Sequence, residues 1–181
     1  MSIEKKKILV VVDMQNDFIS GALGSAEAEA IVPAAAEKIS GFEGTVFATL
    51  DTHYDNYSET SEGKHLPVPH CIKGTAGHEL APEIAAALSS KKFTKVEKNT
   101  FGSLLLPKLI RETAGENDKE LDIELIGLCT DICVASNALI LKANFPEADI
   151  SVDARCCAGV TPEKHIAALE TMKSCQINVI S

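Results

Sequence analysis

Three residues able to act as base, cation and nucleophile close or follow expected strands in this chain. They are Asp13 after Ile8-Leu9-Val10-Val11-Val12, Lys98 after Lys92-Phe93-Thr94-Lys95-Val96-Glu97, and Cys133 shortly after Leu125-Ile126-Gly127-Leu128. A carboxylate can take up a proton, an ammonium can hold anions in place, and a thiolate attacks carbonyl carbon. Cys133 falls in the first turn of an expected helix, where free backbone N–H groups and the positive end of the helix dipole favour thiolate. The same position also suits a cysteine that is only a small buried hydrophobe, just as Asp13 can be a loop cap and Lys98 a solvated lysine. A second set of chemical residues begins at Asp51-Thr52-His53, where side chains two apart on an extended stretch point the same way. The long loop that follows adds Glu59, Glu62, His65 and Pro69-His70-Cys71. Carboxylate and imidazole together suit Zn, Mn or Fe, although a solvated loop would carry the same residues.

These residues need a sheet to bring them together. Residues 8–12 form a continuous apolar run, as expected of a strand covered on both faces. Further strands are expected over residues 45–50, 92–97, 122–128, 148–152 and 177–180. Residues 26–39 read as a helix with Ile31, Ala35 and Ile39 turned to the sheet and Gly41 near its stop. Residues 104–113 read as another, with Pro107 in the first turn. A third starts from Thr130 or Asp131 as N-cap and runs through Val134, Ala138, Leu139 and Leu141. The last spans 161–175 behind the Thr161-Pro162-Glu163 start signal. The order β-α-β-β-α-β-α-β-α-β predicts a three-layer α/β/α, Rossmann-like fold with a mainly parallel sheet of about six strands. Residues 1–181 are expected to make a single domain. Ligand sites in open parallel sheets form at the carboxyl ends of strands, which is where Asp13, Lys98 and Cys133 would gather. The glycine-rich segment Gly21-Ala22-Leu23-Gly24 lacks the G-x-G-x-x-G spacing, so no nucleotide cofactor is expected.

Bulk properties narrow the function classes. The chain has 181 residues and 45% hydrophobic content, enough for one full core. A net charge of −9 argues against a nucleic-acid partner, which would need clustered Lys and Arg. The apolar runs are strand-length, so neither a signal peptide nor a membrane span is expected, and the reading is a cytoplasmic protein without membrane contact. Six cysteines without a secretory leader read as reduced thiols, and no C-x-x-C supports a zinc ribbon or a redox pair. Cys129, Cys156, Cys157 and Cys175 are expected at core or junction positions, and His65, His78 and His165 are expected to face solvent.

Taken in order, four motifs resemble the isochorismatase-like cysteine hydrolases, the group that includes nicotinamidases. They are Val12-Asp13-Met14-Gln15-Asn16-Asp17-Phe18, Asp51-Thr52-His53 with Pro69-His70-Cys71, Lys98-Asn99-Thr100-Phe101, and Gly127-Leu128-Cys129-Thr130-Asp131-Ile132-Cys133-Val134. The resemblance spans nearly the whole chain. It implies a catalytic triad of Asp13, Lys98 and Cys133, and an oxyanion hole made by the backbone N–H groups of Cys129 and Cys133 after a cis Leu128-Cys129 peptide. Amide C–N hydrolysis through a thioester is the activity implied, with a small-molecule amide as substrate and nicotinamide as the leading one.

The resemblance further implies a divalent metal, Zn, Mn or Fe, on Asp51, His53 and His70. Where nicotinamidases often have a further loop histidine, this chain offers Glu59 or Glu62, and Glu59 is preferred because its distance from Asp51 suits the family pattern. Phe18 matches a position lining the substrate pocket. The tryptophan usual in nicotinamidases shortly before the Pro-His pair is missing; Pro67 lies there, and the chain has no tryptophan. Self-association into a homo-oligomer is also implied. The alternatives are an isochorismatase-type or carbamoyl amide hydrolase, and a non-catalytic binding protein on the same fold. Cys133 counts against isochorismatase proper, whose members depart from cysteine at that position.

Overall fold

In the computed structural model, which describes residues 5–181, the apolar runs pair into a six-stranded, all-parallel sheet. Residues 1–4 of the expected domain lie outside the described residues. The strands are β1 (Lys6–Val12), β2 (Thr45–Asp51), β3 (Phe93–Lys98), β4 (Leu121–Leu128), β5 (Asp149–Ala158) and β6 (Asn178–Ile180). Their order is β3-β2-β1-β4-β5-β6. Seven α-helices lie among the described residues, with short 3-10 and π turns between elements: α1 (Asn16–Ile19), α2 (Ala26–Gly41), α3 (Ser61–His65), α4 (Pro82–Ser89), α5 (Leu105–Ala114), α6 (Ala135–Asn144) and α7 (Pro162–Ser174).

Two cores explain why β1 has no polar alternation. Leu9, Val11, Val46 and Ala48 pack on one face against Ile31, Ala35 and Ile39 of α2 and Ile84 and Leu88 of α4. Ile8, Val10, Val12 and Phe47 pack on the other, against Leu106 and Ile110 of α5, Leu141 of α6 and Met172 of α7. The result is the expected three-layer α/β/α architecture. Each such buried aliphatic side chain contributes about 2 kcal/mol of transfer free energy, so the middle of the sheet is its most stable part.

Two expectations about elements need correcting. No helix was expected between β2 and β3, yet they pair in parallel, and a parallel pair needs a crossover. Helix α4 supplies it, with Pro82 in its first turn. Its stretch Ile84-Ala85-Ala86-Ala87-Leu88 has little polar contrast, so its periodicity is faint. β5 runs six residues beyond its expected end at Val152, because Asp153 and Arg155 interrupt the apolar pattern but pair with each other.

The sheet's topology decides where a site can form. After β1 the chain builds outward through β2 and β3, and after β4 it builds the opposite way through β5 and β6. The carboxyl ends of β1 and β4 therefore flank the switch point where a crevice opens. Gly127 makes the close approach there possible: its φ is +119°, and a Cβ on it would stand 2.1 Å from the Val12 carbonyl oxygen.

Candidate active site

Asp13 follows β1, Asp51 and Lys98 end β2 and β3, and the turn carrying Cys133 follows β4. All four are buried. Lys98 Nζ lies 2.6 Å from Asp13 Oδ2 and 3.6 Å from Asp51 Oδ1, and it donates toward Cys133 Sγ at 3.6 Å. One cation thus serves three groups that can carry negative charge. Thr49 Oγ1 donates to Asp13 Oδ1 at 2.7 Å, whereas Asp13 Oδ2 has the ion pair but no aligned hydrogen-bond donor. Asp13 also holds a left-handed backbone with φ of 47°, an uncommon conformation for a residue with a side chain.

The charge states follow from this crowding. Burial pushes the Asp13 carboxyl up, Lys98 pulls it down and Asp51 adds to the rise, leaving it above the ordinary carboxylate range. Burial likewise drives the Cys133 thiol well up, and Asp13 adds to the rise while Lys98 opposes it. Lys98 stays charged: burial disfavours its cation, but Asp13, Cys133 and Asp51 together outweigh that. The resting thiolate expected from helix position is therefore not what the surroundings favour. Dehydration and the neighbouring Asp13 carboxylate both favour the thiol form, with Lys98 opposing them.

The turn that presents Cys133 differs in detail from expectation. Residues Thr130–Val134 form a wide, π-type turn, and neither Thr130 nor Asp131 caps it. Thr130 Oγ1 is instead 2.8 Å from His165 Nδ1, and Asp131 Oδ1 accepts the Val160 N–H at 2.9 Å, so both side chains tie the turn to the start of α7. The Leu128-Cys129 peptide is cis, as the resemblance implied. Asn137, one turn beyond Cys133, donates to its carbonyl at 2.8 Å and accepts the Ser103 N–H at 2.9 Å. It is a fully buried polar residue on an apolar helix face, and that mismatch was its signal in the sequence.

A second cluster adjoins the first through Asp51. One ligand atom from each of Asp51, His53, Glu62 and His70 lies within 4.8 Å of the others. Glu62, in the first turn of α3, is the loop carboxylate that enters. Glu59 does not: it ends a short 3-10 turn and is exposed, because the Thr60 cap turns the chain so that the next turn faces inward. His53 Nε2 is 3.0 Å from Asp51 Oδ2 and 3.6 Å from Glu62 Oε1, and His70 Nε2 is 3.4 Å and 3.5 Å from the same two atoms. His70 Nδ1 bonds the Val68 carbonyl at 2.8 Å, which fixes the ring and leaves Nε2 for the cluster. His53 Nε2 is buried without an aligned partner. Burial opposes charge on both rings, but Asp51 and Glu62 outweigh it and lift His53 to about 9 and His70 to about 10. Burial also disfavours the Glu62 anion, yet the two histidines hold it down to about 2. Two carboxylates and two imidazole nitrogens that converge so closely fit one Zn, Mn or Fe ion.

Both clusters open on one cavity of about 1170 Å³. Cys133, Asp51 and His53 reach its wall, Asp13 and Lys98 lie behind them, and Phe18, Phe101, Leu128, Ile132 and Val160 provide apolar lining. Phe18 also packs on the His70 ring with centroids 5.4 Å apart. His65 is exposed as expected, but His78 is buried with Nε2 2.9 Å from Thr52 Oγ1, and His165 is half-buried against Thr130. Sequence reasoning also passed over Thr49 and Gln15. Gln15 accepts the Asp51 N–H at 2.8 Å and donates to the Asp51 carbonyl at 2.9 Å, so its side chain continues the sheet pairing beyond Val12.

The sequence matches the family described as "Isochorismatase domain" over residues 7–181. It is 29% identical over 194 aligned positions to the nicotinamidase/pyrazinamidase of Mycobacterium tuberculosis, covering 96% of this chain and 98% of the other. A solved pyrazinamidase of Pyrococcus horikoshii in complex with zinc superposes with a TM-score of 0.78 at 26% identity, covering 97% of this chain and 99% of that one. A pyrazinamidase/nicotinamidase from Streptococcus mutans does so with a TM-score of 0.84 at 26% identity, covering 97% and 100%.

Proposed function

Because the chain belongs to the isochorismatase domain family, we propose that it is a nicotinamidase-like amidohydrolase in which Asp13, Lys98 and Cys133 cleave a C–N amide bond. The observation that carries this is the meeting of those three side chains at the switch point, with the thiol alone reaching the cavity.

Asp13 takes the Cys133 proton as Sγ bonds to the amide carbonyl carbon. Burial raises its affinity for protons, which suits it to taking one from a thiol. The carbonyl π electrons move onto oxygen, and the backbone N–H groups of Cys129 and Cys133 meet that oxyanion; one such donor is worth about 3 kcal/mol. Asp13 then passes the proton to the departing nitrogen as the C–N bond breaks, releasing ammonia and leaving a thioester. Water attacks the thioester with Asp13 again as base, the carboxylic acid leaves, and the proton returns to sulfur. Lys98 remains charged throughout, stabilising whichever of Asp13 and Cys133 carries negative charge.

Asp51, His53, Glu62 and His70 would hold a divalent metal ion of the Zn, Mn or Fe group at the cavity wall. When bound, such an ion supplies a Lewis-acidic point for a heteroatom of the substrate's acyl group. That a pyrazinamidase of the same fold is in complex with zinc supports this reading. Phe18 gives the acyl group an aromatic wall. The chain has no tryptophan, and a cavity of about 1170 Å³ exceeds what a pyridine or pyrazine carboxamide fills. Carbamoyl and longer aliphatic amides are accordingly a second substrate group.

The test is ammonia release from nicotinamide, pyrazinamide and a panel of small amides, wild type against Cys133→Ala. Turnover of at least one amide is expected, lost by about a thousandfold or more in the variant. Near-normal turnover by Cys133→Ala would sink the mechanism. Metal analysis of protein purified without chelator should find about one equivalent of transition metal.

A further inference from the structure

The segment Gln15-Asn16-Asp17 between Asp13 and Phe18 has no part in the chemistry above, yet all three residues grip one stretch of the loop that carries His70. Gln15 Nε2 donates to the His78 carbonyl at 2.8 Å, Asn16 Nδ2 to the Ala76 carbonyl at 2.7 Å, and Asp17 Oδ2 accepts the Cys71 N–H at 2.7 Å. The last contact differs from the others in where it falls. The Cys71 N–H belongs to the peptide that joins it to His70, so the Asp17 carboxylate fixes the plane from which the His70 ring hangs.

The other side of Cys71 is held by the other histidine. His53 N–H donates to the Cys71 carbonyl at 3.0 Å, and Lys73 N–H to the His53 carbonyl at 2.8 Å. Cys71 itself adopts φ of 46°, a backbone that its side chain disfavours and that surrounding bonds must hold. Glycines wall in the carboxylate that does so. A Cβ on Gly77 would stand 2.1 Å from Asp17 Oδ2, and one on Gly21 2.5 Å from Oδ1, where Oδ1 also accepts the Ala22 N–H at 3.3 Å.

We propose that Asp17 is a positioning residue for the metal cluster: through Cys71 it sets the distance between His70 and His53, while Phe18 beside it packs on the His70 ring. This rests on the reading of Asp51, His53, Glu62 and His70 as a metal site. Groups that orient ligands from behind commonly change metal affinity 10- to 100-fold when removed, by roughly the same logic as a direct ligand's geometry. Asp17 touches neither metal nor substrate. It acts only through the backbone of the loop.

The experiment loads metal-stripped protein with Zn(II) against a chromophoric chelator and records the visible spectrum of the Co(II) form. Asp17→Ala should bind Zn(II) at least about tenfold more weakly than wild type, with an altered Co(II) spectrum. Asp17→Asn, which keeps an oxygen for the Cys71 N–H, should return to within about threefold of wild type and restore the spectrum. Gly77→Ala reaches the same contact from outside by displacing the carboxylate, and it should mimic Asp17→Ala even if that variant folds poorly. Wild-type affinity in Gly77→Ala, or in a folded Asp17→Ala, overturns the proposal. A wild-type protein that binds no Zn(II) overturns the metal reading itself, a result distinct from equal binding by all variants.

Discussion

Two buried carboxylates, Asp13 and Asp153, each sit beside a lysine, and their surroundings drive them in opposite directions. Asp153 on β5 accepts Arg155 N–H and Nε at 3.1 and 3.0 Å on one oxygen, and Arg155 Nη2 and Lys38 Nζ at 2.8 and 2.9 Å on the other. Burial works against its charge, but these donors from Arg155 and Lys38 hold it down to about 2. Asp13 has one hydroxyl donor and a share of Lys98, with Asp51 competing for the same cation, and burial leaves it raised. A carboxylate saturated with donors has no reason to take a proton. One left short of donors is ready to accept it, and the difference supports the proposed role of Asp13 as base while giving Asp153 a structural one.

Replacing each by asparagine should separate the two roles most sharply. Asp13→Asn is expected to lower kcat/KM for the best amide by about a thousandfold or more, because the thiol loses its acceptor. Its unfolding free energy in urea should change little, because relief of a dehydrated carboxylate offsets the lost pairing with Lys98, which keeps Asp51 beside it. Asp153→Asn should leave kcat/KM within about threefold yet lower stability measurably, because Lys38 loses one of its two carboxylate partners and Arg155 loses its partner on the strand. Equal stability losses in both variants would erase the distinction.

That distinction was only half legible in the chain. Asp13, Lys98 and Cys133 stand out because each closes or follows an expected strand, and a parallel sheet brings such ends together. Asp153 gives no such sign: an acid there reads as the end of the strand over residues 148–152, because its partner Arg155 lies on the same strand and the bonds that satisfy it leave no trace in periodicity. The cavity wall was legible at Phe18 and not at Phe101, Ile132 or Val160, which reach it only through the packing of α6 and α7. The choice of Glu62 over Glu59 depended on the Thr60 cap, a three-residue detail that spacing from Asp51 cannot resolve.

The same contrast between satisfied and wanting groups can be drawn inside the loop. Glu62 completes the set of converging ligand atoms with Asp51, His53 and His70, while Glu59 is exposed. Glu62→Gln should weaken Zn(II) binding in chelator competition by about tenfold or more, and Glu59→Gln should leave it unchanged. The reverse order of effects would restore the carboxylate that spacing favoured.

Acid should expose the two carboxylates with opposite signs. Asp153 is held below its unfolded value near 3.8, so its contribution is fully present above about pH 4 and is lost as pH falls toward 2. Urea unfolding of wild type and Asp153→Asn should therefore converge over that window. Asp13 is raised, so its charged form burdens the fold at neutral pH and protonation relieves the burden. Relative to Asp13→Asn, the wild type should gain stability as pH falls toward 4. Parallel trends in the two comparisons would mean that Asp13 is as saturated as Asp153.

The smallest change tests how close to saturation Asp13 already stands. Thr49 is its one hydroxyl donor, and that bond favours the carboxylate. Thr49→Val keeps the shape and removes the donor, leaving Asp13 with Lys98 and burial alone. Stability should fall by about 1 kcal/mol. The acidic limb of the kcat/KM profile should move to higher pH, because a base deprived of its donor binds its proton more tightly, while the plateau at higher pH drops by no more than about tenfold. A limb that stayed in place would assign the ionisation controlling turnover to a group other than Asp13, and the contrast with Asp153 would then describe the fold without describing the chemistry.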